Sequence, residues 1–365
     1  MKYSKLIVDA HQDLAWNILT FDRDYSLSAA DTRSRERKTK IPEWNGDTLL
    51  GWPEYQRGHV GVVFSTLFAA PIRSRLGEWD TQHYKNGDEA YTIYSDQLDT
   101  YYKLVDTHPD KFQLIFNKKD LTSVLSNCNA ENPPQYPVGL VPLMEGGDAI
   151  RRPGDLSEWW NRGVRIIGLA WTGTKYCGGT REPGPLTKEG HDLLMGMAEM
   201  GFTLDISHMD IKAVLQSLDE YPGRIIASHT NAKTLLPNSD SNRFITDREL
   251  RGLIERDGIV GVVPFNRFLK SNWVQSDGRE KISLGLVANQ IDYICQIAGS
   301  TDHVGIGSDF DGGFGLQKTP IEIDTIADLQ KLIPFLIEKG YTETDVEAVM
   351  GQNWIRFLME SLPEG

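Results

Sequence analysis

Residues 187–208, TKEGHDLLMGMAEMGFTLDISH, read as a helix that runs into a strand. Thr187 to Met200 carries apolar residues at helical spacing, and Gly201 follows as a natural stop. FTLDIS (202–207) then reads as a strand, with His208 just past its end. The next strand-like run, RIIAS (224–228), is also followed by a histidine, His229. Chemistry-bearing residues at the same end of successive strands predict one shared site at the mouth of a barrel.

Six further runs complete the pattern: KLIVDA (5–10), VGVVFSTLFA (60–69), GLVPLM (139–144), VRIIGLA (164–170), IVGVVPF (259–265) and HVGIGS (303–308). Most are apolar on both faces, as in a parallel sheet covered by helices. Between them lie helical segments. Thr246 to Asp257 opens with a Thr–x–x–Glu box and ends at Gly258. Leu284 to Ala298 is periodic, and Thr344 to Met350 opens with a second box, Thr344 to Glu347. Eight strands alternating with helices predict a (β/α)8 TIM barrel, with residues 1–365 forming a single domain. Two long loop insertions are expected, a polar one over about 20–58 after strand one and a partly helical one over about 71–137 after strand two. Such loops are expected to build the substrate pocket.

Bulk composition narrows the function. Acidic residues outnumber basic ones 51 to 38, giving a net charge of -13, which disfavours nucleic acid and anionic membrane as partners. The basic run RSRERKTK (33–40) reads as a solvated loop or lid, and GIGSDFDGG lacks the spacing of a dinucleotide fingerprint. Cys128, Cys177 and Cys295 are far apart and form no CxxC pair, so neither a disulfide framework nor a thiolate zinc site is expected. MKYSKLIVDAHQD leaves no room for a signal-type apolar run, and nothing approaches the ~18 apolar residues of a membrane span. No apolar tail suggests an anchor. A cytoplasmic enzyme is the expectation.

The candidate chemistry sits at the strand ends: His11 and Asp13 in VDAHQD, Glu145 in LMEGGD, His208, His229, and Asp309 in VGIGSDFDGG. In His11–x–Asp13 both side chains leave the strand on one side, because the strand period is two. Gly146 and Gly147 allow close approach beside Glu145. Five ligands of nitrogen and oxygen type exceed the three of a mononuclear catalytic site. Two metals sharing one carboxylate use them economically. Asp309 is then placed to take and return a proton, with Asp311 as its competitor. His59, His83, His108, His191 and His303 lack this placement and read as structural or surface residues.

The series DxHxD, EGG, DxSH, SH(S/T) and GxGxDxDG, running from Asp9 to Gly313, resembles the membrane (renal) dipeptidase family of zinc metallopeptidases. The resemblance implies an amidohydrolase-type barrel, commonly a homodimer, hydrolysing dipeptides, in bacteria often with a D-residue on the C-terminal side. It implies two zinc ions per chain and a hydroxide between them. His11 and Asp13 would hold one ion, His208 and His229 the other, and Glu145 would bridge them. Asp309 would be the acid/base, and Arg243 in SNRFITD would grip the substrate carboxylate. One departure stands out: the family often carries a histidine after strand four, where this chain has Trp171 in GLAWTGTKYCGG. Trp171 therefore marks an alternative, a related binuclear amidohydrolase acting on a non-dipeptide amide, ester or lactone. A metal-binding scaffold without turnover is the third option, and Asp309 argues against it.

Overall fold

A computed structural model describes residues 5–128 and 135–365. Residues 1–4 of the N-terminal reading and 129–134 of the second insertion lie outside the described residues. The barrel strands are β1 (Ile7–Gln12), β2 (Val60–Phe68), β3 (Val138–Glu145), β4 (Ile166–Gly168), β5 (Thr203–Asp205), β6 (Ile225–Ile226), β7 (Val260–Val262) and β8 (Val304–Ile306). All eight coincide with the expected runs, and their side chains are buried on both faces. Every ladder between them is parallel, in the order β6-β5-β4-β3-β2-β1-β8-β7. The ring closes through one bridge, Ala227 to Val260, where Ala227 N–H donates to Ile259 O at 2.9 Å.

The barrel is uneven. β1, β2 and β3 have 6, 9 and 8 residues, whereas β4 to β8 have only two or three. The short ladders stop where side chains take over the backbone donors. Asp205, buried at the end of β5, accepts from the backbone N–H groups of Ser207 (3.0 Å) and Ser228 (2.9 Å) and from Ser228 Oγ (2.5 Å). Asp9 on β1 does the same for Ser308 after β8, at 2.6 Å to N and 2.5 Å to Oγ. A carboxylate on one strand thus braces a serine on its neighbour, once on each side of the barrel.

The helices follow local chemistry. Helix α1 (Leu14–Phe21) leaves β1 directly. The insertion after β2 contributes α2 (Gly87–Thr107), N-capped by Asn86. Helix α3 (Lys188–Met200) is capped by Thr187 and ends at Gly201, and buries Leu193, Leu194 and Met197. Helix α4 (Asp247–Glu255) has the expected box, Thr246 with Glu249, but Asp257 rather than Gly258 takes the left-handed backbone that ends it. Helix α5 (Leu284–Ala298) matches its prediction. The second box needs correction: α6 (Glu343–Glu347) is capped by Thr342 with Asp345 as its partner, two residues before the expected pair. Both sites offer a Thr with an acid three residues on, and Asp345 serves as well as a glutamate.

The first insertion also departs from expectation. Trp16, Ser74 and Leu76 reach the central cavity, but nothing from 20–58 lines it. The second insertion thus supplies Ser74 and Leu76 to the wall, as expected, while the first supplies nothing; the second also braces strand ends. From α2, Tyr101 Oη donates to Thr66 O at 2.8 Å, Gln97 pairs with the Phe68 backbone, and Tyr94 Oη donates to Glu145 O. The first half of the basic run, 33–36, is helical rather than loop, and Arg33 in it bonds Thr48 O and Asp324. A short strand, Phe112–Leu114, pairs with the start of β3 and was not expected.

Candidate metal centre

His11 lies at the end of β1 and Asp13 just past it, Glu145 ends β3, His208 follows β5, His229 follows β6 and Asp309 follows β8. The fold brings all six to one point at the C-terminal mouth. His11 Nε2 lies 3.7 Å from Asp13 Oδ2, 3.5 Å from Glu145 Oε2 and 3.9 Å from Asp309 Oδ1. Glu145 Oε1 turns the other way, 3.1 Å from His208 Nε2 and 3.5 Å from His229 Nε2. The two imidazole Nε2 atoms are 3.1 Å apart. Glu145 is therefore central, with one oxygen toward each group of ligands.

Three observations fit these residues to a cation. Both ring nitrogens of His11 and Oδ1 of Asp13 are buried without a hydrogen-bond partner, an arrangement that costs free energy unless something binds them. Ligands about 2.0–2.2 Å from a zinc-type ion stand about 3–3.5 Å apart, close to the spacings found. Two groups of three converge tightly enough to hold an ion: His11, Glu145, His229 and His11, Asp13, Asp309.

The surrounding hydrogen bonds set tautomers. Ser228 Oγ donates to Asp205, so it can accept from His229 Nδ1 at 2.8 Å, which leaves Nε2 as a lone pair facing the cluster. Thr180 Oγ1 stands 3.0 Å from His208 Nδ1 and plays the same part there. Thr180 was missed by sequence reasoning, as was the role of Ser228. Asp205, three residues before His208, acts through the next strand by bonding Ser228.

Charge follows burial. Burial holds the His208 and His229 imidazoles well below their ordinary pKa, with the charges of Arg243 and His11 adding to it. Neutral rings are the form that binds metal. Burial alone would lower His11, but Glu145 and Asp13 outweigh it and raise its pKa well above the usual value. Asp309 is raised well above the ordinary carboxyl range by burial, then by Asp13 and Glu145, against the opposing pull of His11 and Arg243.

His208, Asp309 and Asp311 all have left-handed backbones, with φ of 67°, 57° and 64°. Non-glycine residues hold that conformation only where their surroundings fix it. Gly312 explains part of the fixing: a Cβ there would stand 2.1 Å from Asp309 Oδ1 and 2.8 Å from Asp13 Oδ2. Asp311 is no competitor for Asp309. It faces away and is fully buried, bound by Tyr25 Oη (2.9 Å), Thr48 Oγ1 (2.5 Å), Leu49 N (2.9 Å) and Arg23 Nη1 (3.0 Å).

A cavity of about 590 Å³ opens over the cluster. Arg243 is buried in its wall. Its Nη2 donates to His229 O at 2.7 Å, while Nε and Nη1 have no partner. Trp171 also lines the cavity, edge-on to Phe68 and 6.1 Å from the His208 ring. The five other histidines stand outside the cluster. Among them His59, His83 and His303 bond backbone carbonyls, and His191 pairs with Glu220. The three cysteines are buried and free. No described helix is long and apolar enough to cross a membrane.

Comparison with known proteins identifies the family. The Rhodobacter sphaeroides metallopeptidase solved with a phosphinate mimic of the dipeptide L-Ala-D-Ala superposes with a TM-score of 0.77 at 23% identity, over 98% of this chain and 99% of that one. An uncharacterized Klebsiella pneumoniae protein from the pqqA 5' region is 33% identical over 60% of this chain and 81% of its own length. Dipeptidase tcpJ of Claviceps purpurea is 23% identical over 83% of this chain and 67% of its own. The family model for membrane dipeptidase, peptidase family M19, matches residues 1–362. With that match covering nearly every residue, the chain belongs to the membrane dipeptidase family and is a metallo-dipeptidase.

Proposed function

We propose that this metallo-dipeptidase works with two zinc ions, His11 and Asp13 holding one, His208 and His229 the other, and Glu145 bridging. The observation that carries this is Glu145, whose two oxygens face opposite groups of ligands at 3.1–3.5 Å. When bound, zinc supplies Lewis acidity and brings the pKa of water to about 7. The chain's own residues supply the rest. Arg243 offers unpartnered charged N–H groups on Nε and Nη1, donors that suit a substrate's terminal carboxylate. Asp309, whose burial favours the protonated form, is placed to take a proton and pass it to the leaving amine. Trp171 and the ring of aromatic side chains at the mouth exclude water from the scissile bond.

The substrate is a small dipeptide, with a D-residue on the C-terminal side as one accepted form. One domain over 1–365, a homodimer in solution and a cytoplasmic location belong to the same proposal. The free buried thiols are compatible with a reducing compartment. Trp171, in place of a hydrogen-bonding ring, favours a second reading: a related amide, ester or lactone as substrate. Metal analysis of the zinc-reconstituted protein, with a screen of L,L and L,D dipeptides beside non-peptide amides and lactones, tests both. Two zinc ions and dipeptide turnover are expected. One ion or none would overturn the binuclear assignment, and turnover confined to non-peptide substrates would favour the second reading.

A further inference from the structure

The cavity wall away from the metal cluster has an unexpected charge. Its only carboxylates are Asp13, Glu145 and Asp309, all in the cluster, yet three arginines line it: Arg181, Arg243 and Arg267. This occurs in a chain with net charge -13. Arg73 and Arg75, in the loop after β2, are tied to Glu182 and Glu78. Among the described residues, Arg181 and Arg267 have no such ion pair.

Arg181 is also held in place. It occupies the turn of a hairpin, Cys177–Gly179 with Glu182–Leu186, with φ of 68°, a position that glycine or asparagine usually fills. Its N–H donates to Asn242 Oδ1 at 3.0 Å, and the Asn242 amide donates back to Gly179 O (2.9 Å) and Asp210 (3.1 Å). Asn242 immediately precedes Arg243. The clamp therefore sets Arg181 beside the loop that presents Arg243. The preceding turn residue, Thr180, contacts His208.

Resting on the dipeptidase reading above, we infer that the preferred substrate carries a second negative charge, an acidic side chain on its C-terminal residue, recognised by Arg181 and Arg267. Arg243 is occupied by the terminal carboxylate, so the neighbouring cations are left for the side chain. Arg181 and Arg267 are both exposed at the rim, where water screens the pairing, so the effect is modest.

The test uses zinc-loaded protein and isosteric pairs: L-Ala-D-Glu against L-Ala-D-Gln, and L-Ala-L-Glu against L-Ala-L-Gln. The expected kcat/KM for the Glu member exceeds that for the Gln member by about five- to tenfold. That preference should fall as salt is raised, and should be lost in the double variant R181Q/R267Q. Equal rates for Glu and Gln, failure to turn over either, or a preference that survives the double variant would overturn the inference. Turnover of L-Ala-D-Ala in those cases would leave the dipeptidase reading standing. No turnover of any dipeptide would overturn both.

Discussion

Asp309 stands 3.9 Å from His11 Nε2 and belongs to a triplet able to hold an ion, yet it is also the carboxyl best placed to carry a proton. Substitution separates these roles. Asp309→Asn should keep two zinc ions, measured by elemental analysis, while kcat falls by about 10²–10⁴. Loss of one ion would make Asp309 a ligand instead. Arg243→Ala should raise KM for a dipeptide far more than for its C-terminal amide, because a hydrogen bond to a charged group contributes about 1.5–3 kcal/mol. Equal effects on the two substrates would refute carboxylate recognition. Ser228→Ala removes the acceptor for His229 Nδ1 and frees the ring to take the wrong tautomer. Zinc affinity, measured by competition with a chelator, should weaken about 10–100-fold, with Ser228→Thr restoring much of it. Unchanged affinity would show that Ser228 only braces the sheet.

At the scale of elements, Asp311 binds the first insertion to the loop after β8. It satisfies Arg23, Tyr25, Thr48 and the Leu49 N–H at once. Asp311→Ala would leave Arg23 short of one buried partner, although Glu36 still pairs with it. A loss of about 3–5 kcal/mol in unfolding free energy is expected, read by denaturant titration. A loss under about 1 kcal/mol would mean that Glu36 and water compensate.

This bond shows where the sequence was legible and where it was not. The eight strands stood out because most are apolar on both faces, and the ligands stood out because each lies at or just past the end of such a strand. Asp311 could not be ranked below Asp309 from sequence, since the partners that consume its oxygens come 262 to 288 positions earlier in the chain. Thr180 was hidden for a related reason. Nothing local marks a threonine in a hairpin turn as the partner of a histidine 28 positions later. The first insertion was misread as a pocket wall because length alone does not reveal which way a loop folds. The second capping box was misplaced because two overlapping Thr–acid pairs compete within six residues, Thr342 to Glu347.

Across the whole molecule, the long strands β1 to β3 form a continuous arc, and the two- and three-residue strands β4 to β8 complete the circle. The short arc meets β1 through one register pair, Asp9 with Ile306, and a bridge from Gln12 to Phe310. The proposed ligands come from both arcs: His11, Asp13 and Glu145 from the long one, His208 and His229 from the short one. Removal of zinc should therefore lower Tm by roughly 5–10 °C. Hydrogen exchange should quicken first around 203–229, while β2 and β3 stay protected. An unchanged Tm with uniform exchange would show that the barrel holds without its ions. The seam at Ala227–Val260, where the ring closes on a single bridge, lies beside His229. An apoprotein that opens there offers a protease its way in, so a cell's zinc supply would govern how long each copy survives as well as how fast it turns over.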